Sequence, residues 1–500
     1  MTIDWWRGAA LYQIYPRSFA DSNGDGVGDL PGILARLEHV AALGVDAVWL
    51  SPFFPSPMKD FGYDVSDYRG VDPAFGALAD FDALVARAHA LGLKIVIDQV
   101  WSHTSDQHPW FKASAAGDPA FADRYVWADA KPDGSPPNNW RASFGGPAWS
   151  WHPARRQYYL HNFLPEQPDL NVHCPAVQDA ILDVARFWLD RGVDGFRLDV
   201  INYLSHDRLL RDNPVRGGNP AAATIRFQRQ LHNKSQPETL AFVERLRALL
   251  DSYGERMAVG EIFDDDMLGR QREYTDGPAR LHTAYSFHLL NAGVAEPALF
   301  RSAIEAWQGV AGWPSWSLGN HDVPRFPSRL GRDDPRLTRT LLALLLCLPG
   351  TPFLYQGDEL GLPQARLPFE ALRDPFAIAS WTASAQDSGR DGARTPMPWT
   401  PDTPDGWLPL DPRHRALSVA AQEADPDSML HFTRALLAQR RLSPALQTGA
   451  TILLDAPDGV LAFERALGDE SVLCLFELSG LAREVEGVAL PPFGHAILGT

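Results

Sequence analysis

Gly195-Phe196-Arg197-Leu198-Asp199-Val200 is an apolar run carrying an arginine and an aspartate two residues apart. Side chains alternate between the faces of a strand, so Arg197 and Asp199 point the same way. Two more acids close similar runs: Glu261 after Met257-Ala258-Val259-Gly260, and Asp322 in Ser317-Leu318-Gly319-Asn320-His321-Asp322. A single Asp after a strand serves more often as a helix cap or turn former. Three acids in equivalent settings imply one site assembled from several strand ends.

Working outward, Leu11-Tyr12-Gln13-Ile14-Tyr15 reads as a first strand closed by Pro16. A helical period over 33–43 ends at the C-cap residue Gly44, and the strand Ala47–Leu50 follows. A second helix over 81–91 stops at Gly92 before the strand Lys94–Val100. Such alternation predicts a parallel sheet with crossover helices. Further strands near 195–200, 257–262, 281–287, 315–318 and 352–355 bring the count to eight. The expected fold is therefore α/β, a (β/α)8 TIM barrel. The apolar stretch Leu341–Leu348 is too short to span a membrane and reads as a buried barrel helix. The last helix is expected over about 428–441.

Two stretches break the rhythm. Residues 104–172 are rich in Trp, Pro, Gly, Asn and His without a helical period, and are too long for a plain loop. They read as a subdomain inserted after the third strand. Residues of about 363–412 form a second irregular insertion, and beyond Gly449 short alternating runs predict a small antiparallel β domain. The expected boundaries are thus 1–103 and 173–446 for the barrel, 104–172 for the insert and 447–500 for the C-terminal domain.

The chain has 500 residues, 45% of them hydrophobic and 11% aromatic, as in a well-cored globular protein. Its formal charge of −17 argues against nucleic acid or an anionic membrane as partner, since both require a basic face. Cys174, Cys347 and Cys474 are widely spaced and form no metal-binding pattern, which suits free thiols in a reducing compartment. The N-terminus lacks a basic region followed by an apolar one, and a cytoplasmic protein is expected. Oligomeric state is left open by the sequence.

Asp21-Ser22-Asn23-Gly24-Asp25-Gly26-Val27-Gly28-Asp29 sets oxygen-bearing side chains at alternating positions of a Gly-rich loop. Asp21, Asn23, Asp25 and Asp29, with the Val27 carbonyl, would form a cage for a hard cation, Ca²⁺ or Mg²⁺, in a structural role. Gly32 stands where an EF-hand needs its last Glu, so that helix-flanked module is not supported. The other reading is an ordinary Asp/Gly turn. No organic cofactor is expected.

Paired carboxylates of this kind suit glycosidic cleavage. Its oxocarbenium-like transition state needs one ionised carboxylate below the anomeric carbon and one protonated acid at the leaving oxygen. A neighbouring arginine keeps the first ionised, while burial and crowding raise the second.

Asp98-Gln99-Val100-Trp101-Ser102-His103, Gly195-Phe196-Arg197-Leu198-Asp199, Val259-Gly260-Glu261 and Asn320-His321-Asp322 together resemble, in order, the four signature regions of the α-amylase superfamily, glycoside hydrolase family 13. Gln167-Pro168-Asp169-Leu170-Asn171 resembles the extra signature of its α-glucosidase and oligo-1,6-glucosidase branch. The resemblance implies Asp199 as nucleophile, Glu261 as general acid/base and Asp322 as a third carboxylate fixing ring hydroxyls. It further implies that Arg197 supports Asp199, that His103 and His321 bind sugar hydroxyls, and that Tyr63 stacks under a terminal glucose. Asp60 would bind the terminal hydroxyls with Arg390, for which Arg394 is a rival, and Phe144 and Gln167 would line the same pocket. A pocket blind at that end implies exo-action on short oligosaccharides or glucosides.

The family pattern is not followed everywhere. Ser102 replaces the usual Asn, Trp101 is unusual, and Val172-His173 follow the fifth motif in place of the usual pairing. These positions are expected to border the subsites. Val200 resembles the residue that in relatives favours α-1,6 bonds, although one such contact shifts preference by only about 1 to 3 kcal/mol. Two alternatives remain: a glucosyl transferase or disaccharide isomerase using a sugar or alcohol acceptor in place of water, and a noncatalytic barrel acting as a binding protein. The retained acids argue against the second. A metal-dependent hydrolase using the Asp21–Asp29 loop is disfavoured too, since that compact cage has no His nearby to complete an open, water-activating site.

Overall fold

The computed structural model describes residues 4–216, 228–381 and 388–499. Eight strands form a near-closed parallel barrel sheet: β1 (Leu11–Ile14), β2 (Ala47–Leu50), β3 (Lys94–Gln99), β4 (Gly195–Leu198), β5 (Met257–Ile262), β6 (Thr283–Ser286), β7 (Ser315–Ser317) and β8 (Thr351–Tyr355). Their order is β7-β8-β1-β2-β3-β4-β5-β6, the cyclic succession of a barrel. Leu11 lies opposite both Ala47 and Phe353, and Gly195 lies opposite Met257. The expected fold class is thereby confirmed. At Gly195 a side chain has no room, because a Cβ there would stand 2.7 Å from the Met257 carbonyl.

The chain divides into two compact units. One comprises Met1–Ser51, Asp80–Val96 and Tyr285–Thr500. Its first long helix spans Leu30–Leu43, three residues earlier than the period predicted. Asp29 is its N-cap, accepting from Gly32 N–H, with Pro31 in the first turn. Gly44 ends it in the left-handed conformation, φ 93°. The apolar run expected to be a barrel helix forms the end of the longer helix Pro335–Cys347, whose leucines are buried, with Leu348 as its C-cap. The C-terminal sheet pairs Ala450–Leu453, Val460–Leu467, Glu470–Glu477 and His495–Gly499 in that order, all antiparallel. Beside it Arg483–Val485 and Val488–Leu490 form a hairpin turned at Glu486 and Gly487, both with positive φ.

The other unit comprises Pro52–Ala79 and Ile97–Ala284. Within the stretch read as an insert, a helix at Pro109–Ala115 precedes a three-stranded antiparallel sheet of Trp127–Ala128, Gln157–Leu160 and Trp149–His152. Val126, Trp140, Ala142, Ala148, Trp149 and Leu160 give that sheet its own core. Helix Pro175–Asp190 buries Trp188 edge-on against Phe53, ring centroids 5.6 Å apart. Two helices not among those expected, Glu238–Ser252 and Met267–Thr275, flank β5 in the chain. The irregular piece 363–412 lies partly outside the described residues. Among the described residues no helix is long and apolar enough to cross a membrane.

His161 follows the inserted sheet with both ring nitrogens engaged. Nδ1–H donates to the Phe163 carbonyl at 3.1 Å, and Nε2 accepts from Ser150 at 2.9 Å. Burial holds its pKa down to about 4, against about 6.5 in an unfolded chain. The unfolded chain therefore takes up a proton first. The stability His161 contributes is complete above about pH 6.5 and is lost as pH falls toward 4. A His161→Gln protein should be less stable than wild type at pH 7, and calorimetry should show that gap closing between pH 6.5 and 4.5. A gap that holds constant would refute the linkage.

Candidate active site

Strand β4 sends Phe196 outward, where Trp101 meets it with ring centroids 5.9 Å apart, and sends Arg197 to the opposite face. There the fully buried guanidinium gathers three carboxylates. Nη1 contacts Asp98 Oδ1 at 2.8 Å and Asp199 Oδ1 at 2.7 Å, and Nη2 contacts Glu261 Oε1 at 2.5 Å. Asp98 comes from β3, Asp199 follows β4 directly, and Glu261 lies in β5, so three neighbouring strands supply one cluster. Tyr63 O–H donates to the second oxygen of Asp98 at 3.0 Å.

One cation against three buried acids leaves protons to be shared. Burial pushes Asp98 up to about 6, opposed by Arg197 and reinforced by Glu261. Burial likewise pushes Asp199 well above the usual carboxylate range, against the pull of Arg197 and with the repulsion of Glu261 and Asp98 added. Arg197 is thus only one of several influences on Asp199, a balance the motif alone could not show.

Val200 follows in the left-handed region, φ 34° and ψ 49°, unusual for a β-branched residue. That turn aims its N–H at Glu261 Oε2, 3.1 Å away. Asp60, Tyr63, His103 and Gln167 form a second knot in the same unit. Gln167 Nε2 lies 3.2 Å from Asp60 Oδ2 and 3.1 Å from His103 Nε2. Burial lowers His103 to about 4, so its ring is neutral near pH 7, and Ser102 Oγ lies 2.9 Å from its other nitrogen. Asp64 braces the turn by accepting N–H bonds from Lys59 and Asp60 at 2.9 and 3.0 Å. Phe144 packs edge-on to Phe163 at 6.2 Å, and Phe163 in turn meets His103 at 5.2 Å. Trp101, expected to border the subsites, is instead a core residue. It is 1% exposed and wedged between Phe196 and Phe242.

In the other unit Asp322 faces two arginines and a histidine. Arg394 Nη2 lies 2.8 Å from its Oδ1, Arg390 Nη1 lies 3.3 Å from the same oxygen, and His321 Nε2 lies 3.1 Å from Oδ2. Gln13 donates to His321 Nδ1 at 2.8 Å, and Tyr15 stacks on the ring at 5.5 Å. Arg390 makes its shorter contacts with Asp374, at 2.7 and 3.0 Å. Although burial pushes Asp374 up, this pairing brings it below the usual range. Both rival arginines therefore touch Asp322, and Arg394 is the more buried.

Asp98 was visible as the first residue of a motif but had no assigned role. Its position at a strand end was the available signal. Gln13, a polar residue inside an apolar strand, called for a buried partner. Asp374 precedes Pro375 and reads as a helix cap, which it also is, accepting from Phe376 N–H. Phe163 carried no signal of its own.

The acidic loop folds as successive Asx turns. Asp21 accepts N–H bonds from Asn23, Gly24 and Gly26, Asn23 accepts from Asp25, and Asp25 accepts from Val27. Asp29 is occupied by Ser22 and by capping the helix. Among the described residues no three His, Cys, Asp or Glu side chains converge to hold a metal by themselves. A hard cation in the loop would draw also on Asn23 and the Val27 carbonyl, and oxygen donors of this mixed type fit Ca²⁺ or Mg²⁺.

Residues 13–449 match the Alpha amylase, catalytic domain profile. The chain belongs to the α-amylase family, glycoside hydrolase family 13. Among curated relatives of this family, it is 50% identical to a probable alpha-glucosidase of Rhizobium meliloti over 99% of the chain and 94% of that protein. It is 36% identical to an oligo-1,6-glucosidase of Parageobacillus thermoglucosidasius, over 95% and 90%. Among solved structures, an alpha-glucosyl transfer enzyme superposes with a TM-score of 0.93 at 48% identity, covering 100% of this chain and 99% of the other.

Arg197→Met would leave buried carboxylates without their cation. The cost should be about 3 to 5 kcal/mol of stability, read as a lower urea midpoint. Unchanged stability would show that the guanidinium does not hold the cluster.

Proposed function

We propose that this family member is a retaining, exo-acting α-glucosidase that releases α-glucose from short oligosaccharides or α-glucosides. The observation that carries the reading is the placement of Asp199 and Glu261 on the two terminal nitrogens of one guanidinium. It favours the short separation, roughly 5 to 5.5 Å, at which one carboxylate attacks while the other handles the proton. Asp199 Oδ forms a bond to the anomeric carbon as the bond to the leaving oxygen breaks, and Glu261 delivers its proton to that oxygen. Glu261 then takes a proton from water, whose oxygen displaces Asp199 and restores the α-configuration. Negative charge in excess over Arg197 stabilises the cationic transition state of each step.

Asp322 holds ring hydroxyls, with His321 and Arg394 fixing its orientation. Tyr63 stacks under the terminal glucose, and Asp60, His103, Gln167 and Phe144 recognise its nonreducing end. Val200 presses on the leaving sugar and biases linkage preference. The names of the curated relatives, alpha-glucosidase, maltase and oligo-1,6-glucosidase, support hydrolysis. A second reading, glucosyl transfer to a sugar or alcohol, is favoured by the likeness to the transfer enzyme and to an isomaltulose synthase of Erwinia rhapontici, TM-score 0.91 at 30% identity.

The loop from Asp21 to Asp29 binds one Ca²⁺ or Mg²⁺ as a structural ion. Residence in the reducing cytoplasm suits the free cysteines, two of them buried.

Purified protein given maltose, isomaltose, sucrose, maltotriose and starch should release glucose from the short substrates, with the α-anomer appearing first by NMR and starch left intact. Asp199→Asn should lower turnover by several orders of magnitude. Initial β-glucose, rapid starch cleavage or a fully active Asp199→Asn would overturn the assignment, and new disaccharides in place of glucose would favour the transferase.

Treatment with a chelator should lower the melting temperature, and added Ca²⁺ or Mg²⁺ should restore it, because an ion bound only by the native state stabilises that state. An unaltered melting temperature in demonstrably metal-free protein would remove the ion.

A further inference from the structure

The turn that follows the nucleophile and the segment that follows the acid/base are joined by one side-chain amide. Asn202, fully buried, pairs with the peptide group of Phe263. Its Nδ2 donates to the Phe263 carbonyl at 3.0 Å and its Oδ1 accepts from the Phe263 N–H at 3.3 Å. Ser235 adds a second tie, its N–H donating to the Asn202 carbonyl at 2.6 Å while its hydroxyl accepts from Asn202 Nδ2 at 3.0 Å. The Phe263 carbonyl also accepts from Lys234 Nζ at 2.8 Å.

Val200 stands between Asp199 and this tie, in the left-handed conformation that directs its N–H onto Glu261 Oε2. A β-branched residue keeps such a backbone only where its surroundings over-determine it. Here Tyr203 N–H donates to the Val200 carbonyl at 2.8 Å, closing the turn Ile201–Tyr203, and Asn202 pins that turn from within.

We propose that Asn202 is a positioning residue for proton transfer: by fastening the turn after Asp199 to the peptide after Glu261, it holds the Val200 N–H against the Glu261 carboxylate and fixes that carboxylate's orientation toward the leaving oxygen. This inference rests on the roles proposed for Asp199 and Glu261. Asn202 touches no reacting atom, so its removal should reveal itself in which substrates suffer.

The test compares kcat/KM on p-nitrophenyl α-glucoside, whose leaving group departs with little help from a proton, and on maltose, whose leaving group needs one. Asn202→Ala and Asn202→Asp, the latter keeping the acceptor and losing the amide donor, should each lose about 10- to 100-fold on maltose, chiefly in kcat, and under about 3-fold on the nitrophenyl substrate. Far-UV circular dichroism and melting temperature establish that the variants are folded. Should Asn202→Ala fail to fold, Asn202→Asp decides alone. Equal losses on both substrates, or a change in KM only, would overturn the positioning role. Glu261→Gln is measured alongside: if it shows no such split, the acid/base assignment itself falls and the inference with it. If it shows the split and the Asn202 variants do not, only the inference falls.

Discussion

A buried guanidinium holding three carboxylates is the constraint on which the rest of the structure depends. Removing Arg197 and its partners from water is costly, and the attraction among them repays that cost only when every contact is well formed. The contacts, between 2.5 and 2.8 Å, are short charge-assisted bonds. To make them, β3, β4 and β5 must run side by side in fixed register. Gly195 permits the close approach of β4 to β5, and pleat alternation divides Phe196 to the hydrophobic side from Arg197 to the polar one. The arrangement is a poor way to gain stability and a good way to store negative charge.

The acids of the two units differ in how they are balanced. Around Arg197 the carboxylates outnumber the cation, and burial pushes Asp98 and Asp199 upward. Around Asp322 the cations are in supply: Arg394 and Arg390 face Asp322 and Asp374, and His321 adds a ring nitrogen. The first environment suits groups that exchange protons and form bonds. The second suits a carboxylate that accepts hydroxyl hydrogen bonds.

Backbone geometry completes the first cluster. The left-handed turn at Val200 costs about 1 to 3 kcal/mol, and it places a peptide N–H against the Glu261 carboxylate. Asn202, Lys234 and Ser235 supply the polar contacts that keep the turn in place, and each satisfies its own buried hydrogen-bonding groups in doing so. The strain sits between two catalytic candidates, where a relaxed loop would remove the peptide contact to Glu261 Oε2 and leave the contact from Arg197.

The sequence by itself determined the alternation of strand and helix, since period and capping residues are local. All eight barrel strands lie within two residues of their expected ends, and Gly44 ends its helix as its φ of 93° requires. It also placed Asp199 and Glu261 at the ends of apolar runs, and the structure brings both onto Arg197. Helix Glu238–Ser252 carries Phe242, Val243, Leu246, Leu249 and Leu250 at helical spacing, so its period too is local, whereas the small sheet of the insert was not legible, because its short strands make sense only beside the core they share. Trp101 shows the same limit: a motif placed it near the sugar, whereas pleat direction placed it in the core. The sharing of Arg197 by Asp98, Asp199 and Glu261, the pairing of Arg390 with Asp374 and the tie from Asn202 to Phe263 were decided only by tertiary structure. Electrostatic balance and hydrogen-bond partnership are properties of groups brought together across tens of residues, and no local pattern encodes them.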